Sequence, residues 1–321
     1  MSQPTAPPLV LVALGGHAFV KKNARGTIED HETSAARISE VLMHLVEREY
    51  RLIITHGNGP QVGALLAQQE LAQHEVPPMP LDVLVAMTEG SLGYILQQSL
   101  LNRLGERKVR RWVVTMVTQV LVDEDDPAFQ EPTKFIGPTL SERESERKRT
   151  RMGWEVAREG GDGEWRRVVP SPRPLRILQH RMIRDAACKG HIVVAGGGGG
   201  IPVRAEADGR LVGVEGVVDK DLTSSVLARD VGASLLVILT AEPSVYKNFG
   251  SPDQKPIGAV TLEEIEALLE AGHFAAGSMG PKIEAAIEFL RSGGRRALIT
   301  DPDSLPEAIR GRAGTHVVGE V

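Results

Sequence analysis

Short β-branched apolar runs alternate along this chain with segments of helical hydrophobic spacing, and that alternation constrains the fold more than any other feature. The run Leu9–Leu14 ends in Gly15-Gly16. Residues 32–49 then carry Ile38, Val41, Leu42, Leu45 and Val46 as a helical stripe. Residues 51–55 form the next strand and end at His56-Gly57-Asn58-Gly59. Helices are expected over 62–73 and 89–104, and one long strand over 113–122. Strands over 191–195, 235–240 and 297–300 follow, with helices over 175–189, 222–231, 262–270 and 282–291 between and after them. This order predicts an α/β fold, a mostly parallel sheet with helices on both faces. Aromatic residues make up only 4% of the chain, so aliphatic side chains must fill the core, as suits central strands covered on both sides. In open α/β sheets ligands bind beyond the carboxyl ends of the strands, so the glycine-rich ends should converge on one edge.

Length and charge narrow the field. The 321 residues can bury a large core, as one big α/β domain or as two lobes. A net charge of −5 without a basic stripe argues against nucleic acid as a partner. Both signs alternate over residues 142–151, which reads as a solvated helix face. Cys188 is the single cysteine, so a disulfide framework and a cysteine zinc cluster within one chain are both excluded. A reducing cytoplasm fits this, no signal peptide is visible, and no apolar stretch is long enough to span a membrane. Residues 123–172 differ in texture, being rich in Asp, Glu, Arg, Pro and Gly. They read as a small protruding subdomain or lid inserted in one domain spanning 1–321, with an extended surface loop as the plainer alternative.

Several segments could carry chemistry. Gly15, Gly16 and His17 follow the first strand, where amide groups could cradle anionic oxygens or simply make a turn. Gly57, Asn58 and Gly59 lead into a helix, and helix N-termini attract anions. His56 alone reads equally as a structural hydrogen-bonding residue. The glycine run Gly196 to Gly200, wedged between a strand and Ile201-Pro202-Val203, favours close backbone approach to a ligand. Lys220 stands between Asp219 and Asp221 ahead of a helix, where an aspartate could cap that helix or aim the lysine. Lys282 opens another helix after Met279-Gly280, and Lys134 lies in the excursion. Phosphoryl transfer needs cations on the equatorial and leaving oxygens, and these three lysines are candidates for it.

Together and in order, the segments resemble carbamate kinase of the amino acid kinase family. That pattern reads ALGGNA, HGNGPQVG, PLD with a Gly-Tyr helix, DPAFxxPTKPIGP, VVPSP, GGGGIPV, DKDLAS, LTD-x-x-x-VY and GSMGPK. The matches here are residues 13–18, 56–63, 80–82 with Gly93-Tyr94, 126–138, 168–172, 197–203, 219–224, 239–246 and 277–282. They span nearly the whole chain; HGNGPQVG and GSMGPK are specific, whereas the other glycine segments are not. The resemblance implies a three-layer αβα sandwich with a mainly parallel eight-stranded sheet, a protruding subdomain and a homodimer. It implies interconversion of ADP and carbamoyl phosphate with ATP and carbamate, using Mg2+, and a place in arginine metabolism. It implies an acid site at Gly15, Gly16, His17, Gly57, Asn58 and Gly59. Lys134, Lys220, Asp221 and Lys282 would be catalytic, with Asp221 orienting the lysines. Gly198, Gly199, Thr240, Tyr246, Met279, Gly280 and Lys282 would bind the nucleotide.

The chain departs from that pattern at specific places. His17 stands where the family has Asn, Phe135 replaces a Pro beside Lys134, and 241–244 lack the acidic character of LTD. These changes keep open a kinase for another small carboxylate or carbamate-like acid. A non-catalytic nucleotide or metabolite sensor is the third possibility; retention of all three lysines and Asp221 argues against it.

Overall fold

The structure is a computed structural model and describes residues 7–15, 26–159, 163–275 and 278–319. The chain opens with β1 (Leu9–Leu14), α1 (Ile28–Val46), β2 (Arg51–His56), α2 (Gly59–Ala72) and α3 (Leu81–Glu106). It continues through β3 (Val113–Thr115), β4 (Gln119–Val122), β5 (Lys134–Leu140), α4 (Glu142–Met152), β6 (Val156–Arg158), β7 (Trp165–Val169) and β8 (Pro174–Ile177). Then come α5 (His180–Cys188), β9 (Ile192–Val194), β10 (Ile201–Ala205), β11 (Leu211–Gly213), α6 (Lys220–Val231) and β12 (Leu235–Leu239). Last are β13 (Val245–Lys247), β14 (Lys255–Ile257), β15 (Ala259–Thr261), α7 (Leu262–Glu270), α8 (Gly280–Arg291), β16 (Arg296–Thr300), α9 (Leu305–Ala308) and β17 (Thr315–Val318).

Eight strands form the main sheet in the order β15-β17-β16-β12-β1-β2-β9-β3. All neighbours run parallel except β16 and β17. Strand periodicity sends alternate side chains to opposite faces. Leu9, Leu11 and Ala13 of β1 therefore pack with α5, α6, α7 and α8, while Val10, Val12 and Leu14 pack with α1, α3 and α9. Two apolar cores result, one on each side of the sheet, and the architecture is the three-layer αβα sandwich expected. Capping boxes start α1 at Thr27–Asp30, α4 at Ser141–Glu144 and α7 at Thr261–Glu264.

Two readings of the sequence need correction. Residues 113–122 are not one strand. β3 pairs with β9 in the main sheet, whereas β4 pairs with β10 and β8 in a four-stranded sheet. The turn between them is held from outside the run: the Thr118 amide donates to Glu89 of α3 at 2.8 Å. Residues 175–189 are likewise not one helix. Their first part is β8 paired with β4, and the Gln119 amide donates to the Gln179 side chain at 2.8 Å just before α5 begins.

Residues 134–169 contain a three-stranded sheet, β5-β7-β6, with α4 packed on it. Among the described residues no helix is long and apolar enough to cross a membrane.

Candidate active site

The central strands β1, β2 and β9 deliver their glycine segments to one edge of the sheet. Space for a Cβ is missing at several of the points where these segments meet. A Cβ at Gly15 would lie 2.8 Å from the Leu239 carbonyl oxygen at the end of β12. At Gly197 it would lie 2.5 Å from His56 Nε2, and at Gly198 it would lie 2.1 Å from Asn58 Nδ2. Gly198, Gly199 and Gly200 also have φ of 66°, 94° and 80°, in the left-handed region that favours glycine. Contact and backbone conformation thus both require the run after β9. Gly57 and Asn58 are buried beside it, and Gly59 is exposed at the start of α2. Gly16 and His17 lie outside the described residues.

Buried polar groups brace these turns. Asn58 donates to Thr88 Oγ1 at 2.8 Å, and Thr88 donates on to the Val85 carbonyl at 2.7 Å. The Gly196 amide donates to Thr118 Oγ1 at 2.9 Å, and Thr223 donates to the Gly199 carbonyl at 2.7 Å. Thr55 and Ser224 share a 2.7 Å hydrogen bond that ties β2 to α6. Burial pushes the Glu89 carboxyl up to about 8, against the bond from Thr118. Burial pushes the His56 imidazole down to about 4, against its bond with the Gly57 carbonyl. At neutral pH the turns therefore rest on an uncharged acid and an uncharged imidazole.

The lysines meet at the start of α6. Asp219 caps that helix, accepting from the Asp221 amide at 2.9 Å and the Leu222 amide at 3.3 Å through Oδ1. Its other oxygen accepts from Lys134 Nζ at 2.7 Å. Asp221 accepts from Lys220 Nζ at 2.5 Å on Oδ1 and from Lys282 Nζ at 3.2 Å on Oδ2. Lys282 also donates to the Ser278 carbonyl at 3.0 Å. Burial opposes ionisation of Asp219, but Lys134 and Lys220 outweigh it and hold the carboxyl well below the usual carboxylate range. Burial pulls Lys282 below the ordinary lysine value, as does Lys220, and Asp221 opposes that fall. Three ammonium groups thus face two carboxylates, and the excess positive charge suits a phosphoryl group.

The remaining candidates surround this cluster unevenly. Thr240 directly follows β12, and its amide donates to the Thr300 carbonyl at 2.9 Å. Met279 caps α8 and Gly280 opens it, three and two residues ahead of Lys282. Tyr246 sits on the β13–β14 hairpin with its ring 6.0 Å from that of Phe249. Among the described residues no hydrogen bond joins Tyr246 to the lysine cluster. Phe135 alternates to the face of β5 opposite Lys134, with its ring 5.9 Å from the Arg166 guanidinium. The sequence assigns no role to Thr88, Glu89 or Thr118, and it offers Asp219 only as a helix cap or as an acid aiming Lys220, not as the partner of Lys134. The signal for Asp219 was present, since a helix-capping acid directly preceding Lys220 has a second oxygen to offer.

Comparison with known proteins identifies the family. Residues 8–301 match the amino acid kinase family. The carbamate kinase of Thermococcus kodakarensis is 44% identical over 314 residues, covering 97% of this chain and 99% of that protein. The carbamate kinase-like protein YahI of Escherichia coli is 40% identical over 316 residues, covering 97% and 98%. The carbamate kinase from Giardia lamblia bound to AMP-PNP superposes with a TM-score of 0.90 at 37% identity, covering 98% of this chain and 99% of that one. The chain belongs to the amino acid kinase family, as a carbamate kinase-like phosphotransferase.

Proposed function

We propose that the protein transfers a phosphoryl group reversibly between ADP and carbamoyl phosphate, giving ATP and carbamate. The observation that carries this is the chain of ion pairs Lys134–Asp219 and Lys220–Asp221–Lys282 beside the glycine turns. In the ATP-forming direction a β-phosphate oxygen of ADP attacks the phosphorus of carbamoyl phosphate in line. The P–O bond to the carbamate breaks as the new P–O bond forms, and carbamate leaves as an anion. No general base is needed, because the attacking oxygen already carries charge. What the site must supply is alignment and positive charge around the transferring oxygens.

Each side chain has a part in this reading. The amides of Gly15, Gly57 and Asn58 line the acid site. Lys134 neutralises the acid end of the phosphoryl path. Lys220 bears on the transferring group, and Lys282, with Gly198 and Gly199, on the nucleotide phosphates. Asp221 aims Lys220 and Lys282 and keeps two like charges close. Thr240, Tyr246, Met279 and Gly280 border the nucleotide. Among the described residues no three His, Cys, Asp or Glu side chains converge as a metal cage. Both site aspartates are also engaged by lysines. This donor set fits Mg2+ carried on the nucleotide phosphates, where it would spread their charge.

A coupled assay of ATP formation from ADP and carbamoyl phosphate tests the proposal. Folded protein that binds nucleotide yet gives no turnover would sink it. Good turnover with another small acid and poor turnover with carbamate would establish the alternative acceptor.

The protein is further read as a cytoplasmic homodimer. α3 presents Val83, Met87 and Tyr94 to solvent at helical spacing, and Trp112 is exposed just before β3, the edge strand of the sheet. A second copy placed on this face would bury the stripe. Light scattering should give twice the chain mass; a monomer at micromolar concentration would refute it.

A further inference from the structure

We propose that Glu70 and Lys148 are positioning residues: their ion pair docks the β5-β7-β6 sheet on α2 and so sets the place of Lys134 relative to the acid site. The inference rests on the role proposed for Lys134 and extends it. Lys148 Nζ donates to both carboxylate oxygens of Glu70 at 2.6 Å each. The pair is largely shielded, with side-chain exposures of 11% for Lys148 and 21% for Glu70. It is therefore a stronger contact than a surface ion pair, and losing one partner strands the other.

The surroundings make the pair a docking point. The Lys148 ammonium lies 4.3 Å from the centre of the Trp154 ring, and the Arg167 guanidinium lies 4.6 Å from it. Arg167 is on β7, opposite Ile136 of β5. On α2, Gly63, Leu66, Ala67 and Glu70 follow helical spacing and line one small cavity together with Ile136, Gly137 and Lys148. A Cβ at Gly63 would come 2.7 Å from the Cα of Gly137, so helix and strand touch backbone to backbone.

That contact reaches the chemistry along two short paths. Gly137 is three residues from Lys134 on the same strand, roughly 10 Å of extended chain. Gly63 is four residues from Gly59, where α2 takes over from the turn Gly57-Asn58. α2 is thus a common reference for the acid turn at its start and for the strand that carries Lys134. If the dock loosens, Lys134 drifts from its place while Lys220 and Lys282, held by Asp221, do not. The defect should fall on the acid substrate and spare the nucleotide.

The test is steady-state kinetics on the full chain in the ATP-forming direction, varying carbamoyl phosphate and ADP separately. Glu70→Gln, Lys148→Met, their double variant and Lys148→Arg are compared with Lys134→Ala, with thermal unfolding measured in parallel. Each single change is expected to lower kcat/KM for carbamoyl phosphate about tenfold while the KM for ADP stays within about twofold. The double variant should be no worse than the poorer single, and Lys148→Arg should recover most of the loss. Unchanged carbamoyl phosphate kinetics in both single variants overturns the proposal. So does a loss that falls equally on ADP and follows the fall in Tm. If Lys134→Ala itself keeps normal transfer, the role of Lys134 fails and this inference with it. Collapse of Lys134→Ala beside normal Glu70→Gln and Lys148→Met rejects the dock alone.

Discussion

Asp219 and Lys134 lie 85 residues apart in the chain and 2.7 Å apart in space. The same aspartate caps α6, so one side chain joins the subdomain strand to the helix that bears Lys220 and Asp221. Asp219→Asn separates these two duties, because Asn also caps helices well but carries no charge. Stability should fall by no more than about 1 kcal/mol. Transfer from carbamoyl phosphate should fall by about 10–100-fold as Lys134 loses its anchor. Denaturant titration and the coupled assay read the two effects independently. Parallel losses in both would count against a separate anchoring role.

Lys220→Ala should remove most transfer, by about 10²–10³-fold, while the fold persists. The Asp221 carboxylate keeps Lys282 as a partner in this variant, so it is not left buried and alone. Circular dichroism and the same assay check both halves. Near-normal rates would reject the assignment of Lys220.

Glu89 makes a prediction about pH. Its ordinary value is 4.5 and burial raises it to about 8 in the fold. Between those values the unfolded chain has released the proton and the folded chain still holds it, so this group subtracts stability as pH rises through the window. Glu89→Gln keeps the shape and stays neutral. Its stability relative to the parent should grow from about pH 5 to about pH 8, by at most ~1.4 kcal/mol per pH unit. His56 acts with the opposite sense: its value falls from 6.5 to about 4, so its contribution is lost as pH falls through that range. Urea titrations across pH measure the difference, and a gap between Glu89→Gln and parent that does not change with pH would contradict an uncharged Glu89.

Gly198→Ala should cost about 2–4 kcal/mol and nearly all transfer. The added carbon would sit 2.1 Å from the Asn58 amide nitrogen, itself bonded to Thr88, so it has nowhere to retreat. Gly209 is the comparison, since its φ is 85° but nothing lies near the position of a Cβ. Gly209→Ala should cost about 1 kcal/mol and leave the rate unchanged. Thermal unfolding of the two variants decides whether crowding or backbone conformation dominates.

The sheet and its glycine edge were legible because their signals are local. Leu9–Leu14 is apolar on both faces and stops at Gly15, and Leu235–Leu239 repeats the pattern. The family resemblance brought the lysines together before any coordinates did. The break at 116–118 was not legible, because the sequence there is as β-branched as its flanks and the turn depends on Glu89 from a distant helix. The strand β8 was hidden for the same reason, its partner being β4. Lys148 falls in the mixed-charge run 142–151 that reads as a solvated helix face, and Glu70 carries no signal of its own. Nothing in their own neighbourhoods announces a contact across 78 residues.

The place of β1 in the middle of the sheet has a consequence for how the protein is made. β1 emerges first, and β2 can pair with one side of it soon afterwards. Its other partner, β12, lies 225 residues further on. At roughly 5–20 residues per second of synthesis, one flank of Leu9–Leu14 stays open for about 10–45 s. During that wait a wholly apolar segment is available to other nascent chains. The same strand that ends at Gly15 is therefore the point at which translation speed and chaperone supply should set the yield of active enzyme.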